Sequence, residues 1–364
     1  MSEIQIPYGR QSVDDDDVAA VVEVLRGDWL TQGPAVERFE AALCKATGAE
    51  HAVAFANGTV ALHATLWATG IVKGDTVATS PLSFVASASC ALWVDALPAF
   101  IDIDPKTLNL DLGNIGRCDA LVAVHYAGLP IDLAGLAARP RVVIEDAAHA
   151  LGAFTPDGPV GNCARSDACV FSFHPVKTVT TGEGGAVTTN SAEIAARLRR
   201  FRSHGMVSRP EHGGWFYEIS ELTPNARISD LQCALGASQL AKLERFVIRR
   251  NEIADRYQEL LAGLDVEPAP AAPAGSRHAY HLYPVRVPGR RPVYEAMRES
   301  GIGVQVHYVP IYRHPLFAPF GIAPSDFPET ERAYAGLLSL PIYPGLTDRE
   351  QRRVAETLAA ALSA

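Results

Sequence analysis

Residues 142–149 read Val142-Val143-Ile144-Glu145-Asp146-Ala147-Ala148-His149, an apolar run that ends abruptly on two acids. Branched apolar residues in a short block predict a buried strand, and the acids predict that its last residues stand at a sheet edge. Runs of the same kind lie on both sides. Residues 52–56, 76–79, 97–101 and 120–124 precede the strand at 141–144, and 168–173 and 185–188 follow it. Helix-like segments at 59–68, 84–92 and 131–138 separate several of them. This alternation predicts an α/β fold on a mainly parallel seven-stranded sheet.

The flanks read differently. Ser12 with Asp15 suggests a capped helix ending at Gly27, and a second helix spans 35–47 after the loop at 28–34. Beyond Asn190, helices are expected at 192–202 and, as one long rod, at 229–264. The stretch 267–275 is a Pro/Ala linker that excludes helix and central strand. The segments 281–287, 294–300, 303–308 and 348–362 then suggest a smaller α+β unit. The division is expected inside the long helix, giving a large domain at 1–240 and a small C-terminal domain at 241–364.

Composition bounds the function. The formal charge of −9 over 364 residues argues against a nucleic-acid partner, which requires a basic face. No apolar run reaches bilayer length, and residues 1–13 lack a signal-peptide profile, so a cytoplasmic protein without a membrane partner is expected. Six scattered cysteines without a CxxC pair suggest free thiols, and no metal site is expected.

Only five lysines stand against twenty-seven arginines. Lys45, Lys73, Lys106 and Lys242 have ordinary surface readings: a helix end, two polar turns, and a solvated helix beside Glu244 and Glu252. Lys177 follows a buried strand and has no acid within five residues. Burial among uncharged groups disfavours an ammonium, and a neutral amine can attack an aldehyde and hold it as a Schiff base. Alone, the segment fits equally a lysine reaching from a strand end to solvent.

Asp146 is suited to hold a pyridinium nitrogen protonated, the expected partner of a pyridoxal lysine, with His149 beside the ring. Taken alone, a strand-end Asp also reads as a helix N-cap. Asn57-Gly58-Thr59, between a strand and a helix, offers backbone N–H groups and a hydroxyl to a phosphate, with Ser172 as a further donor. Phe84 offers a flat face for the pyridine ring, though a single Phe also fits core packing. The weight lies in the order: phosphate cup, aromatic, strand-end acid and lysine along one α/β domain, without a competing GxGxxG or P-loop.

At these residues the sequence resembles the DegT/DnrJ/EryC1/StrS sugar aminotransferases of PLP-dependent fold type I. The likeness rests on DWLTQGP (28–34), NGT (57–59), EDAAHALGA (145–153), SFHPVKTVTTGEGGAVTTN (172–190) and HY (307–308). The resemblance implies pyridoxal 5′-phosphate as cofactor, with Lys177 and Asp146 catalytic. It implies Gly58, Thr59, Phe84, His149, Ser172 and Asn225 as further cofactor contacts, Asn225 reaching across a homodimer with shared sites. Relatives usually carry an aromatic at the place of Ala226 and Gly-Tyr at the place of Thr223-Pro224. Thr31, Gln32, Arg227, His307 and Tyr308 are the implied substrate contacts, although His307 reads equally as a packed histidine.

Within the family, residues 7–17 and 28–34 most resemble enzymes that make UDP-4-amino-4,6-dideoxy-N-acetyl-β-L-altrosamine for pseudaminic acid. That likeness implies transfer of the L-glutamate amino group to the C4 ketone of a UDP-linked 6-deoxy-4-keto-N-acetylhexosamine. Other nucleotide-linked 3- or 4-keto sugars, an amino-acid acceptor, or a non-catalytic PLP-binding protein are the alternatives. A dehydrating relative lacks the lysine that this chain retains.

Overall fold

The first helix, α1 (Asp15–Arg26), opens at Asp14, whose N–H donates to the Asp17 carboxylate at 3.0 Å in a capping box. Ser12 is not the cap; its carbonyl accepts from Gln239 Nε2 at 2.8 Å. The computed structural model describes residues 4–363, so Met1–Glu3 and Ala364, the outer ends of the two expected domains, lie outside the described residues.

Helix α2 (Pro34–Thr47) begins on a proline whose missing N–H is harmless there and stops at Gly48 in the left-handed region. The chain then alternates through β1 (His51–Phe55), α3 (Gly58–Ala68), β2 (Thr76–Thr79), α4 (Ala86–Leu92), β3 (Leu97–Phe100), β4 (Ala120–Val124) and β5 (Val142–Asp146). A small hairpin, β6 (Phe154–Thr155) and β7 (Gly158–Pro159), precedes β8 (Ala168–Ser172) and β9 (Gly185–Thr189). The remaining elements are α5 (Ala192–Arg202), the hairpin β10 (Met206–Ser208) and β11 (Tyr217–Ile219), α6 (Asp230–Leu240), α7 (Leu243–Leu260), β12 (Tyr283–Arg286), α8 (Arg290–Glu299), α9 (Pro328–Gly336), β13 (Leu337–Leu340) and α10 (Asp348–Leu362).

The seven expected strands form one sheet in the order β1-β9-β8-β5-β4-β2-β3. Only β9 runs against its neighbours, pairing antiparallel with β1 and β8, whereas β8, β5, β4, β2 and β3 pair in parallel. Alternate residues of each strand face opposite layers. Ala54, Cys169, Phe171 and Ala186 pack with Phe39, Leu43 and Cys233 of α2 and α6. Val53, Phe55, Val122, Ile144 and Val170 pack with α3, α4 and Phe201 of α5. Both faces are covered, which is why the strands read as continuous apolar runs.

A third core joins Ile253 and Tyr257 of α7 to Tyr283, Val285, Met297, Leu338, Leu340, Val354 and Leu358. Leu243 and Val247, earlier in the same helix, pack instead with the α2–α6 layer.

Further sequence expectations are corrected. Residues 131–138 form no α-helix; Leu133–Gly135 is a single 3-10 turn, opened by Asp132 accepting from the Ala134 N–H at 2.9 Å. The expected rod at 229–264 is two helices. It breaks at Ala241–Lys242, where the Lys242 ammonium turns to Asp14 and to buried Asp17, at 2.9 Å from the latter. Lys242 is therefore part of a partly enclosed ion cluster rather than a solvated lysine beside Glu244 and Glu252. Strand β13 was not expected; it pairs with β12 and carries four buried residues.

Candidate active site

Because six of the seven strands run one way, their carboxyl ends share an edge, and the loops leaving it enclose a cavity of about 600 Å³. This is where open α/β sheets bind ligands. Every member of the expected phosphate cup, acid, aromatic and lysine set except Asn225 lines it, as do His307 and Tyr308.

At the end of β1, Asn57 caps α3 by accepting the Val60 N–H at 2.8 Å. The first amides of a helix have no intrahelical acceptor, so those of Gly58 and Thr59 are left for a ligand at the positive end of the helix. Register brings Ser172 to the same place, since both Phe55 and Ser172 pair with Gly185. The fit is tight: a Cβ on Gly58 would lie 3.0 Å from that of Ser172, and one on Gly185 would lie 2.4 Å from the Asn57 carbonyl carbon. These glycines let three backbone segments meet at the start of α3.

Asp146 ends β5 and is buried. No helix follows it, so the N-cap reading does not apply; Oδ1 accepts from the Ala148 N–H at 3.2 Å and Oδ2 from the Ser87 hydroxyl at 2.7 Å. Lys177 stands in the turn after β8, its N–H donating to the His174 carbonyl at 2.9 Å. The side chain is half-buried and lines the cavity. Burial pushes its amine down to about 8 from the ordinary 10.5, with the Asp146 charge acting the other way.

His149 Nε2 lies 3.1 Å from the Tyr308 hydroxyl, and its ring centroid is 4.5 Å from that of His281. A hydroxyl donating to Nε2 puts the imidazole proton on Nδ1, which is buried without a partner among the described residues. Burial, with Lys177 adding to it, depresses His149 and His281 well below the usual histidine range and His307 to about 3. Burial raises Tyr308. The cavity thus presents neutral imidazoles and a protonated phenol around one amine. His307 is held through Nδ1, 2.9 Å from the Ser339 hydroxyl of β13. Phe84 is not a core residue; it is 54% exposed at the cavity wall, 6.0 Å from the Tyr308 ring.

Thr31, Gln32, Asn225 and Arg227 do not join this cavity. Gln32 and Arg227 line a separate cleft with Arg199 and Arg202, Thr31 bridges to Ser229, and Asn225 is exposed beside Ser203. Sequence reasoning missed Tyr8, Ser83, Ser87 and His281, which line the cavity. Ser83 lies in the bend before α4 and Ser87 in its first turn, so no helical spacing links them in the sequence. His281 gave no comparable signal in an apolar stretch.

The set fits pyridoxal phosphate on its own geometry. It combines a helix-end cradle closed by glycines, a buried acid, an amine kept from full charge, and an imidazole nitrogen with no protein partner. Relatives agree. The spore coat polysaccharide biosynthesis protein SpsC of Bacillus subtilis (strain 168) is 35% identical, with 97% of this chain and 96% of that protein covered. Among solved structures, Helicobacter pylori PseC, an aminotransferase involved in the biosynthesis of pseudoaminic acid, is 31% identical with a TM-score of 0.89, covering 98% of this chain and 99% of that one. Spr1654 of Streptococcus pneumoniae in its PLP form is 26% identical with a TM-score of 0.91, over 98% of both chains. With the pattern of that family matching residues 11–359, the chain belongs to the DegT/DnrJ/EryC1/StrS aminotransferase family, a sugar aminotransferase dependent on pyridoxal 5′-phosphate.

Proposed function

We propose that this enzyme moves the amino group of L-glutamate to the C4 ketone of a UDP-linked 6-deoxy-4-keto-N-acetylhexosamine, in the cytoplasm, toward a surface glycan such as pseudaminic acid. The observation that carries the reading is the depressed amine of Lys177 in one cavity with Asp146 and the Gly58–Thr59 cradle. The names of PseC and SpsC, one tied to pseudoaminic acid and one to a coat polysaccharide, support the choice of substrate.

When bound, pyridoxal phosphate supplies an aldehyde that takes up the amino group and a ring that spreads the electrons of a carbanion. Gly58, Thr59 and Ser172 would hold its phosphate, and Asp146 would hold the proton of its ring nitrogen. Phe84 and His149, on the cavity wall, would contact the ring. Lys177, whose amine lines the same cavity, would move the α-proton, first as base and then as acid. An amine near 8 suits both directions at neutral pH. His307 and Tyr308 contact the sugar.

Glutamate and a nucleotide diphosphate are both anionic, and Lys177 is the only Lys or Arg among the residues lining the cavity. We therefore assign Arg227 of the partner subunit to the substrate carboxylates and Asn225 of the partner subunit to the cofactor phosphate, with the Thr31–Gln32 loop completing a homodimeric site. We propose a large domain at 1–240 and a small domain at 241–364.

The test is a product analysis. Purified enzyme is incubated with glutamate and a panel of UDP- and dTDP-linked 3- and 4-keto sugars, with pyruvate and oxaloacetate as amino-acid controls. The reading expects 2-oxoglutarate and a 4-amino sugar from the UDP-4-keto substrate. Preference for a dTDP sugar, a 3-keto sugar or a keto acid overturns it.

A further inference from the structure

Asp146 would do its work only if its carboxylate is held still, because an acid facing a ring nitrogen must keep one orientation through the whole reaction. Its hydrogen bonds identify what holds it. Oδ2 accepts the Ser87 hydroxyl at 2.7 Å, and Ser87 Oγ in turn lies 2.7 Å from Ser83 Oγ. A serine hydroxyl has one proton. With that of Ser87 directed to Asp146, the Ser83 hydroxyl is the donor to Ser87, so the three groups form a chain of one direction ending on the acid. All three are buried, and both serines also line the cofactor cavity. The Ser87 carbonyl is tied down as well, accepting from Cys90 Sγ at 3.3 Å within α4.

We propose that Ser87, fed by Ser83, is the positioning residue that orients the Asp146 carboxylate toward the cofactor ring nitrogen. The proposal rests on the reading of Asp146 as partner of that nitrogen. A hydroxyl donor on a buried carboxylate favours its charged form, and such charge-assisted bonds are about twice as strong as neutral ones. Without it, only the longer bond from the Ala148 N–H holds the carboxylate, and the proton it shares with the ring leaves the nitrogen more readily.

The experiment loads wild type, S87A, S87C, S87T and D146N with pyridoxal phosphate carrying ¹⁵N in the ring and records the nitrogen chemical shift. The cofactor dissociation constant is measured beside it by equilibrium dialysis. The expected result is a shift to the unprotonated value in D146N, an intermediate shift in S87A and S87C, and a wild-type shift in S87T. Cofactor binding should weaken on the order of tenfold in S87A and S87C. If S87A does not fold, S87C, which keeps the side-chain volume and only a weak donor, decides. A nitrogen shift unchanged in S87A or S87C while D146N moves it overturns the role of Ser87 and leaves that of Asp146 standing. A shift unchanged in D146N overturns the reading of Asp146 itself. S87T behaving as S87A shows that the hydroxyl is not the operative group and also overturns the proposal.

Discussion

His149 and Tyr308, 159 positions apart in sequence, meet with 3.1 Å between imidazole Nε2 and phenol oxygen. The bond ties the loop after β5 to the C-terminal part of the chain across the cofactor cavity. Replacing Tyr308 by Phe removes the partner of Nε2 and leaves a second imidazole nitrogen unsatisfied beside Nδ1. A buried polar atom left without its bond destabilises by about 1–3 kcal/mol. The expected outcome for Y308F is a loss of that order in urea unfolding of the apoprotein. Unchanged stability would show that the bond is not formed in solution.

Lys177 gives a pH-dependent prediction with a fixed sign. Its amine ionises at 10.5 when unfolded and about 8 when folded, so the native state disfavours the ammonium. Above about 10.5 both states are neutral and no penalty exists. As pH falls toward 8 the penalty grows, and below 8 it is fully present, at up to about 3 kcal/mol. The K177M apoprotein should therefore be more stable than wild type below pH 8, with the advantage fading between 8 and 10.5. Parallel stability curves for the two proteins would contradict this. The same variant should lack aminotransferase activity.

Much of this was legible in the sequence because parallel strands buried on both faces leave an unmistakable trace. The seven blocks from 51 to 189 needed no tertiary knowledge, and Asp146, Lys177 and the Gly58–Thr59 pair stand where those blocks end. What escaped detection depends on partners remote in sequence. Lys242 looks solvated beside Glu244 and Glu252, yet Asp14 and Asp17, more than 220 residues earlier, claim its charge at the point where the expected helix divides. Ser87 reads as an ordinary helix residue until Asp146 is placed against it. Strand β13 follows a helix directly, so its LLSL pattern continues the apolar spacing of that helix.

Gly185 tests the cradle without touching any reactive group. A methyl there would meet the Asn57 carbonyl carbon at 2.4 Å, its oxygen at 2.5 Å and the Gly58 nitrogen at 2.6 Å, all rigid backbone. The cradle must move if Ala is introduced. G185A should weaken pyridoxal phosphate at least tenfold, roughly the effect of losing one good phosphate contact. The comparison is pyridoxal without phosphate, whose affinity should change far less. Equal weakening of both compounds would place the damage elsewhere.

The separation of Asn225 and Arg227 from the cavity leads to a prediction about pairs of subunits. If each site draws Lys177 from one subunit and Arg227 from its partner, K177A and R227A are each inactive as homodimers. A mixed dimer then has one site carrying both lesions and one site carrying neither. Random pairing makes half the dimers mixed, each with one sound site of two, so activity should recover to about a quarter of wild type. The mixture is made by co-expressing the two variants and measuring 2-oxoglutarate release per subunit. If sites are contained within single subunits, every site in the mixture carries a lesion and activity stays at the level of the separate variants. Recovery to about a quarter and no recovery are far enough apart to decide where Arg227 acts.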